Sequence, residues 1–299
     1  MADAAVLLAC DWGTTNLRAW TLDGQGAPVA QQDFPLGVSR LAPGEAAQRF
    51  EAEVRPALNA QGLPAILCGM VGSNLGWQVV PYADCPAGIE DLAGKLTSVG
   101  DNARIVPGLR CEGIAGAPDV MRGEETQILG WLAQHPDRRA GRHVLCHPGT
   151  HAKWVLIQDG RIVRFVTAMT GELFAVMSQH SVLRTDAASD DEAAFDAGLV
   201  AAGSGDALAA RLFTTRARVV GGDADPKGSA SYLSGLLIGA EVAATPQLLG
   251  ARPERVDLLG DAALCERYRR ALTRAGIAAE TFDGEAAAIA GLFALGAKP

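Results

Sequence analysis

One turn occurs twice in this chain. Cys10-Asp11-Trp12-Gly13-Thr14-Thr15-Asn16-Leu17-Arg18-Ala19-Trp20 closes an apolar run, bends sharply and starts a second strand; an altered copy returns as Cys146-His147-Pro148-Gly149-Thr150-His151-Ala152-Lys153-Trp154. In register, Cys10 meets Cys146, Gly13 meets Gly149, Thr14 meets Thr150, and Asp23-Gly24 meets Asp159-Gly160. A tight turn lined by glycine and threonine presents N–H groups and hydroxyls with no bulky side chain in the way, as phosphate oxygens require. Two such hairpins facing each other are expected to clamp a polyphosphate.

The pattern around each copy is that of an α/β protein. Ala5–Cys10, Leu17–Leu22 and Val29–Phe34 read as strands, with a turn at Asp23–Gly26. A helix is predicted from Gly44 to Leu58, with Phe50, Val54 and Leu58 four apart. A strand Ala65–Cys68, a helix Ile89–Leu96, a strand Arg104–Val106 and a helix Val120–Ala133 complete the order βββαβαβα. The polar stretch 135–141 then connects to a second start: strands at His143–Cys146, Trp154–Gln158 and Ile162–Ala168, and a helix Glu172–Gln179. A buried strand at Arg255–Leu259, a helix through Tyr268 and a closing helix Glu285–Leu295 end the chain. Two domains are expected, 1–137 and 138–299, with a ligand cleft between them.

A length of 299 residues with 48% apolar and 20% charged side chains leaves room for two hydrophobic cores. A formal net charge of −8, and no basic cluster beyond Arg267-Tyr268-Arg269-Arg270, argue against a nucleic-acid surface, which needs a basic face. The six cysteines are scattered without a C-x-x-C pair, so reduced thiols and a cytoplasmic location are expected. Met1-Ala2-Asp3 carries no cationic leader, Asp11 interrupts the first apolar run, and no run reaches membrane length, so neither a signal peptide nor a membrane partner is expected.

Four segments carry chemistry. Asp11, an acid at a buried strand end before a Gly-Thr-Thr turn, is placed to hold Mg²⁺ through water beside the β- and γ-phosphates of a nucleotide, although aspartate also caps turns. Gly13, Thr14, Thr15 and Asn16 would bond phosphate oxygens, and Arg18 would add charge if directed at the ligand. The second turn repeats the cradle with Gly149, Thr150 and His151, but His147 stands where the first has its acid; Lys153 is expected to face solvent or a phosphate. Pro118–Gln127 opens a helix whose first turn holds Glu124 and Glu125, with Arg122 before them and Asp119 further upstream. The helix dipole alone favours acids there, but either glutamate also borders the apolar stripe and is a candidate to accept a hydroxyl proton.

Cys68–Trp77 is a strand end followed by a loop of glycines in which Gly69, Gly72, Ser73, Asn74 and Trp77, with Arg122, are candidates to bind a substrate. A flat base would find room against Gly260 at the Leu259-Gly260-Asp261 junction, with Gly222 and the 231–239 stretch opposite. The chain has no G-x-x-x-x-G-K-[ST], and Gly203-Ser204-Gly205 lacks the third glycine of a dinucleotide fingerprint.

The Asp11–Thr15 turn, its partner at Gly149-Thr150 and the Gly260 junction together resemble the duplicated ribonuclease-H-like ATPase fold of actin, heat-shock chaperone ATPases and sugar kinases. The segments Asp11–Trp20, Cys68–Trp77, Pro118–Gly130, His147–Trp154, Met169–Phe174 and Ser231–Glu241 are similar to the 2-dehydro-3-deoxygalactonokinase family. That resemblance implies two ribonuclease-H-like domains and ATP with Mg²⁺. It also implies phosphorylation of the 6-hydroxyl of 2-dehydro-3-deoxy-D-galactonate in galactonate catabolism. A homodimer is the expected assembly, and the gluco epimer is an alternative substrate. A second reading is a phosphohydrolase resembling exopolyphosphatases, which share the fold and a Gly-x-Glu-Glu helix start; the missing basic channel counts against it.

Overall fold

The computed structural model describes residues 4–184, 190–250 and 253–297. The chain forms two compact units: Met1–Arg142 with Ile157–Arg164 and Asp283–Pro299, and His143–Leu156 with Phe165–Phe282.

In the first unit β1 (Leu7–Trp12), β2 (Leu17–Leu22) and β3 (Pro28–Phe34) form an antiparallel meander. β4 (Ala65–Gly69) lies parallel to β1, with Trp12 opposite Gly69. β5 (Ala83–Asp84), β6 (Thr97–Val99), β7 (Ala103–Ile105), β8 (Leu109–Glu112) and β9 (Pro118–Met121) follow. The main sheet runs β3-β2-β1-β4-β7-β6, and β5-β8-β9 make a small separate sheet. Side chains on β1 are buried almost throughout, because a central strand is covered on both faces. The helical run from Glu45 to Ala57 includes a π-helical turn at Phe50–Val54. It places Phe50, Val54 and Leu58 in one core with Trp12, Leu17 and Phe34, so the expected spacing of four is an inward face.

A second main sheet repeats this plan. β10 (Arg142–His147), β11 (Ala152–Gln158), β12 (Arg161–Ala168), β13 (Arg255–Gly260) and β14 (Ala278–Asp283) form a sheet ordered β12-β11-β10-β13-β14. Third, second, first, fourth and fifth strands thus stand in the same order in both sheets, apart from the additional β6. The shared order is what the repeated turn implied.

The structure departs from the sequence-based expectations in three places. Pro118–Met121 is a strand, and the helix begins only at Glu124, because Gly123 at φ 114° breaks the helical path. β14 and the small sheet carry too little apolar alternation to stand out in the sequence. The division at 137/138 also differs, since the closing helix Gly284–Gly296 belongs by its packing to the first unit. It crosses the helix Glu124–Gln134 at a pair of glycines: a Cβ on Gly130 would lie 1.9 Å from the Ala287 carbonyl, and one on Gly291 2.0 Å from that of Thr126. Arg104 adds a 2.8 Å bond to the Gly296 carbonyl.

Candidate active site

The first unit builds its half of the site on the ends of β1 and β4. Between β1 and β2 the chain reverses over Gly13–Asn16, and every carbonyl in that turn is taken. Asn16 accepts from the Gly13 N–H at 2.9 Å, Gly13 from Val38 at 3.1 Å, Thr14 from Ser39 at 3.1 Å and Thr15 from Gly37 at 3.2 Å. With the acceptors turned into the protein, Thr14, Thr15 and Asn16 remain exposed on the donor side. Gly37, which the sequence did not single out, permits this: a Cβ there would stand 2.1 Å from the Thr15 carbonyl carbon.

Asp11 lies opposite Arg18 across β1 and β2, and Arg18 Nη2 donates to Asp11 Oδ2 at 2.8 Å. The other oxygen, Oδ1, lies 3.9 Å from Cys68 Sγ. Gly69 follows at φ 86°, where a Cβ would press within 2.8 Å of the Trp12 carbonyl, and Gly123 comes against Gly69 from the far side. Behind Gly123, Glu125 has no exposure at all. Its carboxyl accepts the Gly123 N–H at 2.7 Å and the Thr126 hydroxyl at 3.0 Å. Burial, with the neighbouring Glu124 adding to it, pushes the Glu125 carboxyl up to about 8. Glu124 is half-buried and accepts the Arg122 N–H at 3.0 Å. These two acids, equivalent in the sequence, therefore sit in different environments.

Arg122 stacks its guanidinium 4.3 Å from the Tyr82 ring centroid and donates Nη2 to the Val80 carbonyl at 2.8 Å. Its Nε and Nη1 are buried without a hydrogen-bond partner among the described residues. Gly72 makes room for it, since a Cβ there would lie 2.8 Å from Nη1. Two other loop residues make contacts within the protein. Trp77 is half-buried and packs its ring 5.4 Å from Phe50 at the edge of the core. The Ser73 hydroxyl closes its own loop, donating to Met70 O at 2.7 Å and accepting from Leu75 N at 3.2 Å. Asn74 is exposed beside it.

The second unit presents its turn, Pro148–His151, against a helix end. Glu172 N–H donates to Thr150 O at 3.0 Å, and a Cβ on Gly171 would lie 2.6 Å from Gly149 O, so the N-terminus of the helix Thr170–His180 abuts the turn. Thr150 is exposed, and His151 Nε2 pairs with the Glu172 carboxylate. Lys153 differs from expectation: it is buried, with Nζ donating to Thr167 Oγ1 at 2.9 Å. β13 ends at Gly260, where a Cβ would meet Pro148 O at 3.6 Å, and Asp261 caps the next helix through the Leu264 N–H at 2.9 Å.

A mainly apolar cavity of about 240 Å³ opens beside this turn. Gly149, Thr150, Gly171, Leu264, Arg267 and Tyr268 are among its walls. Ser234 and Leu237 from the 231–239 stretch also line it, while Gly222 sits in an exposed turn outside that lining.

The donor set suits Mg²⁺ held mainly through water and phosphate oxygens. Asp11 offers one carboxylate, and among the described residues no group of three or more His, Cys, Asp or Glu side chains forms a cage for a metal. No helix among the described residues is long and apolar enough to cross a membrane.

Residues 11–295 match the model of the 2-keto-3-deoxy-galactonokinase family. The chain is 38% identical to the 2-dehydro-3-deoxygalactonokinase of Escherichia coli K12 over 95% of both chains. A crystal structure of a Sinorhizobium meliloti protein, provisionally named a 2-dehydro-3-deoxygalactonokinase, superposes with a TM-score of 0.85 at 34% identity, covering 97% of each chain. Component A of the (R)-2-hydroxyglutaryl-CoA dehydratase of Acidaminococcus fermentans, at 14% identity and a TM-score of 0.51 over 99% and 100% of the two chains, shares the fold. With nearly its whole length matched, the chain belongs to the 2-keto-3-deoxy-galactonokinase family.

Proposed function

We propose that this protein transfers the γ-phosphoryl group of ATP to the 6-hydroxyl of 2-dehydro-3-deoxy-D-galactonate. Membership of the kinase family supports the reaction class. The observation that carries the assignment of roles is the clustering of Asp11, Gly69, Gly123 and the two glutamates at the ends of β1 and β4.

Thr14, Thr15 and Asn16 are the phosphate donors of the first unit, and Gly149, Thr150 and His151 those of the second. The apolar cavity beside the second turn takes the adenosine. Asp11 would hold Mg²⁺ through water, and the ion would supply neutralisation of charge on the phosphates. Glu124 accepts the hydroxyl proton: it is reachable, whereas Glu125 is sealed behind Gly123 and held largely protonated near neutral pH. Glu125 instead fixes the backbone at Gly123. Arg122, half-buried beside the substrate loop, is the proposed cationic partner of the sugar-acid carboxylate.

ADP release should rise on adding 2-dehydro-3-deoxy-D-galactonate, and less on adding its gluco epimer. No stimulation by any 2-keto-3-deoxy sugar acid would sink the reading, and phosphate release from polyphosphate without a sugar acid would favour the hydrolase. Use of ATP together with six free thiols fits a cytoplasmic enzyme. A homodimer is proposed from the open edge at β3, where Pro28–Asp33 are exposed beside a mostly apolar groove lined by Pro28, Ile289 and Phe293. Light scattering that gives the mass of one chain would exclude it.

A further inference from the structure

Glu241 stands out in the helix Ser229–Leu248. Its neighbours Leu236, Leu237, Ile238, Ala240 and Val242 are buried and apolar, yet Glu241 is only 6% exposed. Burying a carboxyl group among hydrocarbon costs several kcal/mol unless donors meet it. Here Trp154 Nε1 donates to Oε1 at 2.6 Å, the Tyr268 hydroxyl donates to Oε2 at 2.8 Å, and the Thr170 hydroxyl is also bonded to the carboxyl.

The three donors lie on three segments around the second turn. Trp154 follows the turn on β11, Thr170 heads the helix that abuts it, and Tyr268 lies on the helix after Gly260. Thr170 and Tyr268 also line the 240 Å³ cavity.

We propose that Glu241 is a positioning residue for nucleotide binding, fixing the walls of the cavity against the phosphate turn through Trp154, Thr170 and Tyr268. Leucine in its place would fill the core but leave three donors without an acceptor and free the Tyr268 ring. This inference rests on the cavity being the adenosine site, and the experiment separates the two.

The test compares Glu241→Gln, Trp154→Phe and Ser234→Phe by ADP affinity from calorimetry, KM for each substrate, and melting temperature. Gln keeps the shape and one acceptor oxygen but cannot accept from all three donors. Glu241→Gln is expected to weaken ADP and raise the ATP KM about tenfold, with the sugar-acid KM at saturating ATP changed less than twofold. Trp154→Phe, which removes one donor without touching the cavity lining, should shift ADP affinity the same way by about threefold. Should Glu241→Gln not fold, Trp154→Phe carries the comparison. Lower melting temperatures with unchanged ADP affinity in these variants would make Glu241 a core residue only and overturn the proposal. Ser234→Phe fills the cavity: if it binds ADP like the wild type, the adenosine assignment fails; if it alone loses ADP, only the role of Glu241 fails.

Discussion

The two glycine-threonine turns are built alike but given opposite electrostatics. Each follows the first strand of its sheet, and each is braced by the segment that follows the third strand, where one glycine must come too close for any Cβ. In the first unit that glycine is Gly37, against Thr15; in the second it is Gly171, against Gly149 and Thr150. The first brace is the start of a single 3₁₀ turn, Val38–Arg40, and the turn it supports lies beside a carboxylate, Asp11, paired with Arg18. The second brace is the positive end of a helix, which favours anions, and His147 stands at the position of the acid. On the proposed reading, the duplicated scaffold is divided into one turn for a cation beside phosphate and one for phosphate alone.

The sharpest way to break that comparison is to remove the acid. Glu124→Gln should lower kcat by roughly 10²–10⁴-fold, and Asp11→Asn by at least as much, while His147→Asn changes it far less. Wild-type turnover in Asp11→Asn would show that the first turn needs no acid and would erase the proposed division of labour.

A smaller effect tests the braces. Gly37→Ala should destabilise the protein by about 1–3 kcal/mol and raise the KM for ATP, since the turn must shift to admit a methyl group. Gly171→Ala should act in the same direction from the other unit. Denaturant melts and initial rates would check both, and an unperturbed Gly37→Ala would mean that the brace is looser than its geometry.

A pH-dependent effect, read on stability and not on turnover, separates the adjacent glutamates. Because the Glu125 pKa is raised in the folded state to about 8, the folded protein keeps a proton that the unfolded chain releases above about 4.5. Its contribution to stability is therefore fully present below about pH 4.5 and is lost as pH rises toward 8, at up to about 1.4 kcal/mol per pH unit. Glu125→Gln, whose neutral amide mimics the protonated acid, should flatten melting temperature against pH over that window. An unchanged slope would show that Glu125 is ionised in the folded protein.

Much of this was legible in the sequence because it is local. A turn bounded by two short strands needs only its own glycine and threonines, and Phe50, Val54 and Leu58 reveal a buried helix face by spacing alone. The packing of Trp77 on Phe50 was not legible, since an aromatic ring in a glycine loop looks the same in sequence whatever it meets. The two glutamates could not be told apart either: both border the apolar stripe, and only the close approach of Gly123 to Gly69 shows which one is sealed.

The order of residues by itself determined the repeated turns, the βββ starts and the family, because backbone donors and strand alternation are properties of neighbours in the chain. Tertiary structure decided the membership of the closing helix, the burial of Lys153 and Glu241, and the close approaches of Gly37 and Gly171. Each depends on an approach between segments far apart in sequence, and close packing has no imprint on any one of them alone.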